Sequence, residues 1–443
     1  MAGALLTDLY ELNMAASYLR RRMTAPATFS LFVRRLPPER GFLVAAGIED
    51  CLDVLEAYSF EASDLAYLAT LGFDDAALEA FAGLRFSGEV RAVPEGRIVF
   101  AEEPLLEVTA PIAEAQLVET VLLNQTTFQT TLASKAARCR LASRDQMELV
   151  EFGFRRTQGL DAGRAAARLS AMVGFSATSN VAAAERYGLQ PSGTMAHSYI
   201  EAFATESDAF RAFAEDLPGR TTFLVDTYDP FEGVAHAVAV IEELGLHDGV
   251  GIRLDSGDLV SLTKATRRML DDAGHPEVRI FVSGGLDEHD IAAFVKEGAP
   301  VDGVGVGTRL GVSADAPFLD SAYKLVSYDG RPVAKFSDGK ATYPGAKQVF
   351  RSGGLVDQLG LAEESAPFGT DPLLEVVMSE GRRVRPSDPV QAVAAARARF
   401  EADLVALPDS ARRLDDPTPP TPTITAALAR LTQQVRTERA MRQ

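Results

Sequence analysis

From about residue 149 to residue 310 the chain repeats one pattern. A short apolar run ends in polar or glycine-rich residues, and apolar positions at helical spacing follow. The runs end near Phe154, Ala177, Val225, Leu254, Val282 and Val306, with helices predicted over 231–244, 259–272 and 288–296 between the last four. Strand and helix alternating in this way predict a parallel α/β sheet or barrel. Nearly every run delivers polar residues at its end: Arg155, Thr178-Ser179-Asn180, Asp226, Arg253 to Asp258, Ser283-Gly284-Gly285 and Gly305 to Arg309. Convergence of strand ends on one face is what a barrel offers, so the expectation is an irregular β/α barrel with fewer than eight clear strands.

Before the barrel the texture is mixed. Residues 5–22 carry Leu9, Leu12, Ala16 and Leu19 at helical spacing, and Asp8 stands three positions before Glu11 as in a capping box, which puts Tyr10 in the first helical turn. Residues 28–34 alternate like a strand, 47–58 read as a helix, and 89–109 as two or three short strands around Pro94-Glu95-Gly96. Residues 112–143 lack Gly and Pro and predict one long helix bridging into the barrel. After it, 323–328 and 331–336 flank Asp329-Gly330, a hairpin signal. The tail predicts a helix over 389–407, a stiff linker with Pro417, Pro419, Pro420 and Pro422, and a last helix from Ile424.

Composition narrows the classes. The 443 residues are 47% hydrophobic and 24% charged, as in a globular protein, and the formal net charge is -18. So acidic a chain is repelled by nucleic acid and by anionic membranes, and any anion site has to be a local basic concentration. One exists: between Ser321 and Arg351 stand Lys324, Arg331, Lys335, Lys340, Lys347 and Arg351 against Asp329 and Asp338. Cys51 and Cys139 are the only cysteines, too few for a disulfide framework or a thiolate zinc site. With no basic leader and no apolar stretch approaching the ~18 residues of a membrane span, the reading is a cytoplasmic protein.

The chemistry-bearing residues lie at the strand ends. Glycines after a strand, as in Ser283-Gly284-Gly285 and Gly305 to Thr308, let backbone N–H groups approach a phosphate; they also end strands for steric reasons alone. No G-x-G-x-x-G opens the first unit, which disfavours a dinucleotide site. His197 differs from the other four histidines in lying among small residues at the head of an element, open to acid–base or nucleophilic work, or held as a structural histidine. Phe152 and Arg155 suit a flat anionic ring, though a core Phe beside a surface Arg reads the same. Asp226, Asp255 and Asp258 could hold Mg²⁺ or ribose hydroxyls, with Asp258 better read as a helix cap.

Taken in order, Leu6-Thr7-Asp8-Leu9-Tyr10-Glu11-Leu12, Glu151-Phe152-Gly153-Phe154-Arg155-Arg156, Gly193-Thr194-Met195-Ala196-His197-Ser198, Asp226-Thr227-Tyr228-Asp229, Arg253-Leu254-Asp255-Ser256-Gly257-Asp258 and Ser283-Gly284-Gly285-Leu286 resemble the motifs of the nicotinate phosphoribosyltransferases, from residue 5 to about 351. The resemblance implies the irregular α/β barrel of type II phosphoribosyltransferases. It places an N-terminal mixed α+β part in 1–145, the barrel in 146–320, a hairpin returning to the mixed domain in 321–370 and a helical extension in 371–443. It implies a homodimer with shared active sites that transfers phosphoribose from phosphoribosyl pyrophosphate to nicotinate, with coupled ATP hydrolysis and Mg²⁺, a reaction formally classed with the ligases.

The same resemblance distributes roles. His197 matches a histidine transiently phosphorylated by ATP; Phe152 and Arg155 match ring-stacking and anion-binding residues, and Tyr10 an aromatic reaching the ring from the partner subunit. Asp226, Arg253 and Asp255 match ribose and pyrophosphate positions, with Asp255 the candidate metal ligand. The phosphate set comprises Ser283, Gly284, Gly285, Gly305, Gly307, Thr308, Lys324, Lys335, Lys347 and Arg351. Ser179 stands where the related nicotinamide enzymes carry Asp, and a hydroxyl can donate to a carboxylate that an Asp would repel, which favours nicotinate over the nicotinamide-specific alternative. A phosphate-binding aldolase or isomerase barrel would want a strand-end lysine, absent from the strand ends above. A ligand-sensing barrel would show a degraded His or phosphate loop, and both are intact.

Overall fold

The computed structural model describes residues 3–219, 221–336 and 342–442, so Asp338 and Lys340 of the basic segment lie outside the described residues. The chain forms two compact units, one of residues 135–317 and one of residues 1–134 with 318–443. The division falls inside the helix Glu119–Ser143, earlier than the expected 145/146 boundary.

The 135–317 unit holds seven parallel strands among the described residues: β1 Glu148–Glu151, β2 Ala177–Thr178, β3 Gln190–Pro191, β4 Thr222–Leu224, β5 Gly251–Leu254, β6 Arg279–Val282 and β7 Gly303–Val306. Their order is β3-β2-β1-β7-β6-β5-β4. The first and last strands of the set pair with each other, β7 on β1, so the sequence order is cyclic and the barrel is left unpaired only between β3 and β4. Six of the seven strands were legible as apolar runs; β3, two residues ending in Pro, was not.

Local chemistry sets the helices between them. Asp229 accepts from the N–H groups of Phe231 and Glu232 and Pro230 occupies the first helical position, so Pro230–Leu244 starts where its sequence demands. Asp258 caps Leu259–Asp272 by accepting from the Ser261 N–H at 3.2 Å, the structural role expected of it. Asp287 and Asp290 form a capping box on Glu288–Glu297. Strands such as β7, buried at every position, read as continuous apolar runs because helices cover them.

In the other unit an antiparallel sheet runs Arg331–Pro332, Ser321–Tyr328, Pro26–Val33, Pro104–Pro111, Glu89–Ala92, Glu375–Ser379, Arg382–Arg383. The post-barrel hairpin therefore does return to the N-terminal strands, with Asp329 and Gly330 both at positive φ in its turn (51° and 70°). Phe29 stacks on Tyr323 across the pairing, 4.8 Å between centroids. Pro26–Val33 is buried from its second residue onward and shows no alternation, because it is a central strand.

Three expectations change here. Residues 112–143 are two helices, Ile112–Leu117 and Glu119–Ser143, broken at Val118. The helix Leu9–Arg20 has Asp8 as N-cap, but no capping box forms: Thr120 draws both acids away, its hydroxyl 2.8 Å from Asp8 Oδ2 and 2.6 Å from Glu11 Oε1. The tail is not purely helical. Glu375–Ser379 and Arg382–Arg383 extend the first sheet, and Thr423–Ile424 pairs with Val356–Leu361 in a second. Its helix Pro389–Ala406 sends Asp403 into the interior, where it accepts from the Ile98 N–H at 2.8 Å and pairs with Arg97 and Arg351, each at 3.2 Å.

Candidate active site

The site is built where β4, β5 and β6 end. Arg253, third residue of β5, donates from Nε to Ser283 Oγ at 2.8 Å and from Nη1 to Thr194 Oγ1 and the Met195 carbonyl at 3.0 and 3.1 Å. Its Nη2 pairs with Asp255 Oδ1 at 2.5 Å. The guanidinium carbon lies 6.0 Å from the centroid of the Phe152 ring, within cation–π range. One side chain thus ties together the ends of β5 and β6, the segment after β3 and the loop after β1.

Asp226, just beyond β4, accepts on Oδ2 from the Asp255 N–H and Ser256 Oγ, both at 2.8 Å. Its Oδ1 is buried and has no hydrogen-bond partner among the described residues. A buried carboxylate oxygen in that condition is an acceptor waiting for a hydroxyl or a cation. Asp255 itself also accepts from Ser283 Oγ. Burial pushes its acidity down, but the Ser283 hydroxyl, the Arg253 guanidinium and His197 together outweigh burial and hold its pKa below the ordinary carboxylate value.

Gly284 has φ +107°, and a Cβ there would stand 1.9 Å from the Asp255 carbonyl, so the chain can turn past β5 only as glycine. Gly285 follows at φ +72° with open space where a side chain would be. These two fit the expected phosphate loop. Gly305 does not. It lies inside β7, buried, and a Cβ on it would meet the Phe152 ring at 2.6 Å and the Phe281 ring at 3.2 Å. Its role is to let two aromatic rings lie inward across the barrel, 5.7 Å apart at their centroids. Gly307 likewise backs onto the Phe152 carbonyl, 2.8 Å from where its Cβ would be, and Thr308 is the exposed first residue of the short helix Thr308–Gly311.

His197 is the first residue of the short helix His197–Glu201, half-buried, with Nδ1 3.1 Å from Thr227 Oγ1. Arg155 is exposed in the turn Phe154–Arg156, and the Ser179 N–H bonds to the Glu151 carbonyl at 2.8 Å. Ser179, Gly193 and Thr194 lie at one end of a cavity of about 680 Å³ that extends past Phe281 to Glu148, Arg279 and Asp302 at the N-terminal strand ends.

The remaining candidates belong to the other unit. Tyr10 is about half exposed, and burial, then Glu119 and Glu11, raise its phenol pKa. Lys335 is exposed and Lys324 lies 3.8 Å from Glu119. Lys347 and Arg351 depart from expectation: both are buried, Lys347 Nζ 3.2 Å from Glu107 Oε1 and Arg351 forked onto Asp357 at 2.8 and 2.6 Å. Their charges are spent inside the fold, so they are structural cations rather than a phosphate surface. Sequence reasoning overlooked Thr227, Thr194, Ser256 and Phe281; the first three stand within or beside the quoted motifs, and Phe281 immediately precedes Val282 at the end of its apolar run.

Comparison with known proteins places this barrel among the phosphoribosyltransferases: the solved structure of human nicotinic acid phosphoribosyltransferase superposes with a TM-score of 0.85 at 30% identity, over 97% of this chain and 99% of that one. The family described as nicotinate phosphoribosyltransferase N-terminal domain matches residues 5–127, and the nicotinate phosphoribosyltransferase family matches 147–343. The nicotinate phosphoribosyltransferase pncB2 of Mycobacterium tuberculosis is 50% identical over 420 residues, 94% of this chain and 89% of its own. That of Bacillus subtilis is 44% identical over 358 residues, 79% and 73% of the two chains. The chain belongs to the nicotinate phosphoribosyltransferase family. No helix among the described residues is long and apolar enough to cross a membrane.

Proposed function

We propose that the protein joins nicotinate to the phosphoribosyl group of phosphoribosyl pyrophosphate, releasing pyrophosphate, in NAD synthesis, and that ATP hydrolysis through His197 is coupled to it. The observation that carries this reading is the Arg253 hub: one guanidinium held among Ser283, Thr194 and Asp255 while facing an aromatic ring. That combination suits a flat anion beside a phosphorylated sugar.

The chemistry is a displacement at the anomeric carbon. The ring nitrogen forms the new C–N bond as the C–O bond to pyrophosphate breaks, through an oxocarbenium-like transition state. Catalysis then consists of holding the nitrogen in line and stabilising the departing charge. Phe152 supplies a ring platform, Ser179 a donor for the nicotinate carboxylate, and Arg155 and Arg253 countercharge. Asp226 and Asp255 accept from ribose hydroxyls, and the Ser283-Gly284-Gly285 turn offers N–H groups to the 5'-phosphate.

Mg²⁺ fits this donor set in part. Asp226 Oδ1 would hold it and Asp255 offers the oxygen not taken by Arg253 and Ser283, the remaining ligands being phosphate oxygens and water. Bound there, it would neutralise charge on the leaving pyrophosphate. For His197, Thr227 at Nδ1 leaves Nε2 for the γ-phosphoryl of ATP, the N–P bond forming as the bond to ADP breaks. The added dianion would draw on nearby cations and so link ATP to substrate affinity. The working form is a homodimer in which Tyr10 of the partner subunit reaches the ring.

The test is pyrophosphate release from phosphoribosyl pyrophosphate and nicotinate, with and without ATP, in wild type and His197→Ala. Nicotinate-dependent release stimulated by ATP, with stimulation and ATP hydrolysis lost in the variant, supports the proposal. Undiminished ATP hydrolysis in the variant removes His197 from its role.

A further inference from the structure

Glu151 closes β1 with none of its surface exposed, and among the described residues its carboxylate meets hydrogen-bond donors rather than a cation. Its carboxylate accepts from Thr178 Oγ1 at 2.6 Å and from the Gly153 N–H. Thr178 Oγ1 in turn accepts from the Asn180 N–H at 3.0 Å, and the Glu151 carbonyl accepts from Ser179. The β1–β2 ladder pairs only Val150 with Ala177 and Glu151 with Thr178, so it ends just where these bonds begin. A Cβ on Gly153 would stand 2.8 Å from Glu151 Oε1, and the bare glycine admits the carboxylate.

Burying a carboxylate without a cation is unfavourable, and burial raises its pKa accordingly. An aliphatic side chain would fill the volume without that penalty but would leave the Gly153 and Thr178 donors unmet. What the carboxylate does, and an aliphatic side chain cannot, is hold both donors at once. One donor adjoins Phe152 and the other adjoins Ser179.

We propose that Glu151 is a positioning residue for the substrate ring, setting the spacing between the Phe152 platform and the Ser179 hydroxyl by bonding Gly153 and Thr178 together. The inference rests on the reading of Phe152 and Ser179 as ring contacts, and its test separates the two. The full-length variants Glu151→Ala, Glu151→Gln, Thr178→Val and Phe152→Ala are compared by steady-state kinetics in both substrates and by thermal melting.

Glu151→Ala is expected to raise the KM for nicotinate about tenfold, the scale of one misplaced hydrogen bond, with the KM for phosphoribosyl pyrophosphate changed less than about twofold. Glu151→Gln recovers most of the loss, since its amide oxygen accepts from Gly153 while its nitrogen donates to Thr178 Oγ1. Thr178→Val, which keeps the carboxylate but cuts the link to β2 and takes the acceptor from the Asn180 N–H, falls between, and it decides the question should Glu151→Ala not fold. If Phe152→Ala raises the nicotinate KM while Glu151→Ala and Thr178→Val do not, or if both KM values move in parallel, the positioning role is overturned. If Phe152→Ala leaves the nicotinate KM unchanged, the ring-site reading falls and the proposal with it.

Discussion

Asp255 Oδ1 lies 2.5 Å from Arg253 Nη2 and accepts from Ser283 Oγ as well, so one carboxylate oxygen serves two donors on adjacent strand ends. Its folded pKa is below the ordinary value of about 3.9, and it therefore stabilises the fold above that pH and loses the contribution as pH falls through the folded value. Denaturant midpoints should show Asp255→Asn less stable than wild type by a constant margin from pH 7 to about 5, narrowing below about 4. A margin that widens on acidification would mean the ion pair is not what holds Asp255.

Gly305 and Phe152 share one space. Gly305→Ala puts a methyl 2.6 Å from the Phe152 ring, an overpacking that should destabilise by about 1–3 kcal/mol and disturb the ring platform. Adding Phe152→Ala removes the clash, so the double variant should melt above the sum of the two single effects. Strict additivity would show that the glycine is needed for its backbone alone.

The barrel was legible because its evidence is local. Each strand is an apolar run ending in polar residues, and each cap, such as Asp229 before Pro230 or Asp258 before Ser261, lies within three residues of what it satisfies. What was not legible depends on partners far along the chain. Lys347 looks like a surface cation until Glu107 is brought beside it, and Asp8 and Glu11 look like a capping box until Thr120 takes both. Gly305 reads as a phosphate loop because nothing near it in sequence reveals the rings of Phe152 and Phe281. The family was legible despite these misreadings because most of its motifs in the barrel are short stretches at strand ends, readable without their distant partners.

The tail's helix is held by Asp403, whose carboxylate meets Arg97, Arg351 and the Ile98 N–H in the interior. Asp403→Ala leaves Arg351 relying on Asp357 and strips a buried N–H of its acceptor; urea unfolding should show a loss of about 3 kcal/mol. A variant as stable as wild type would make the tail a passenger rather than part of the unit.

Acceptor choice tests the account most directly. Ser179 and the flanking guanidinium groups should favour a ring bearing a carboxylate, so purified protein given phosphoribosyl pyrophosphate and ATP should show kcat/KM for nicotinate at least about a hundredfold above that for nicotinamide, the scale of a charged group finding its donors. Equal or faster turnover of nicotinamide would contradict it.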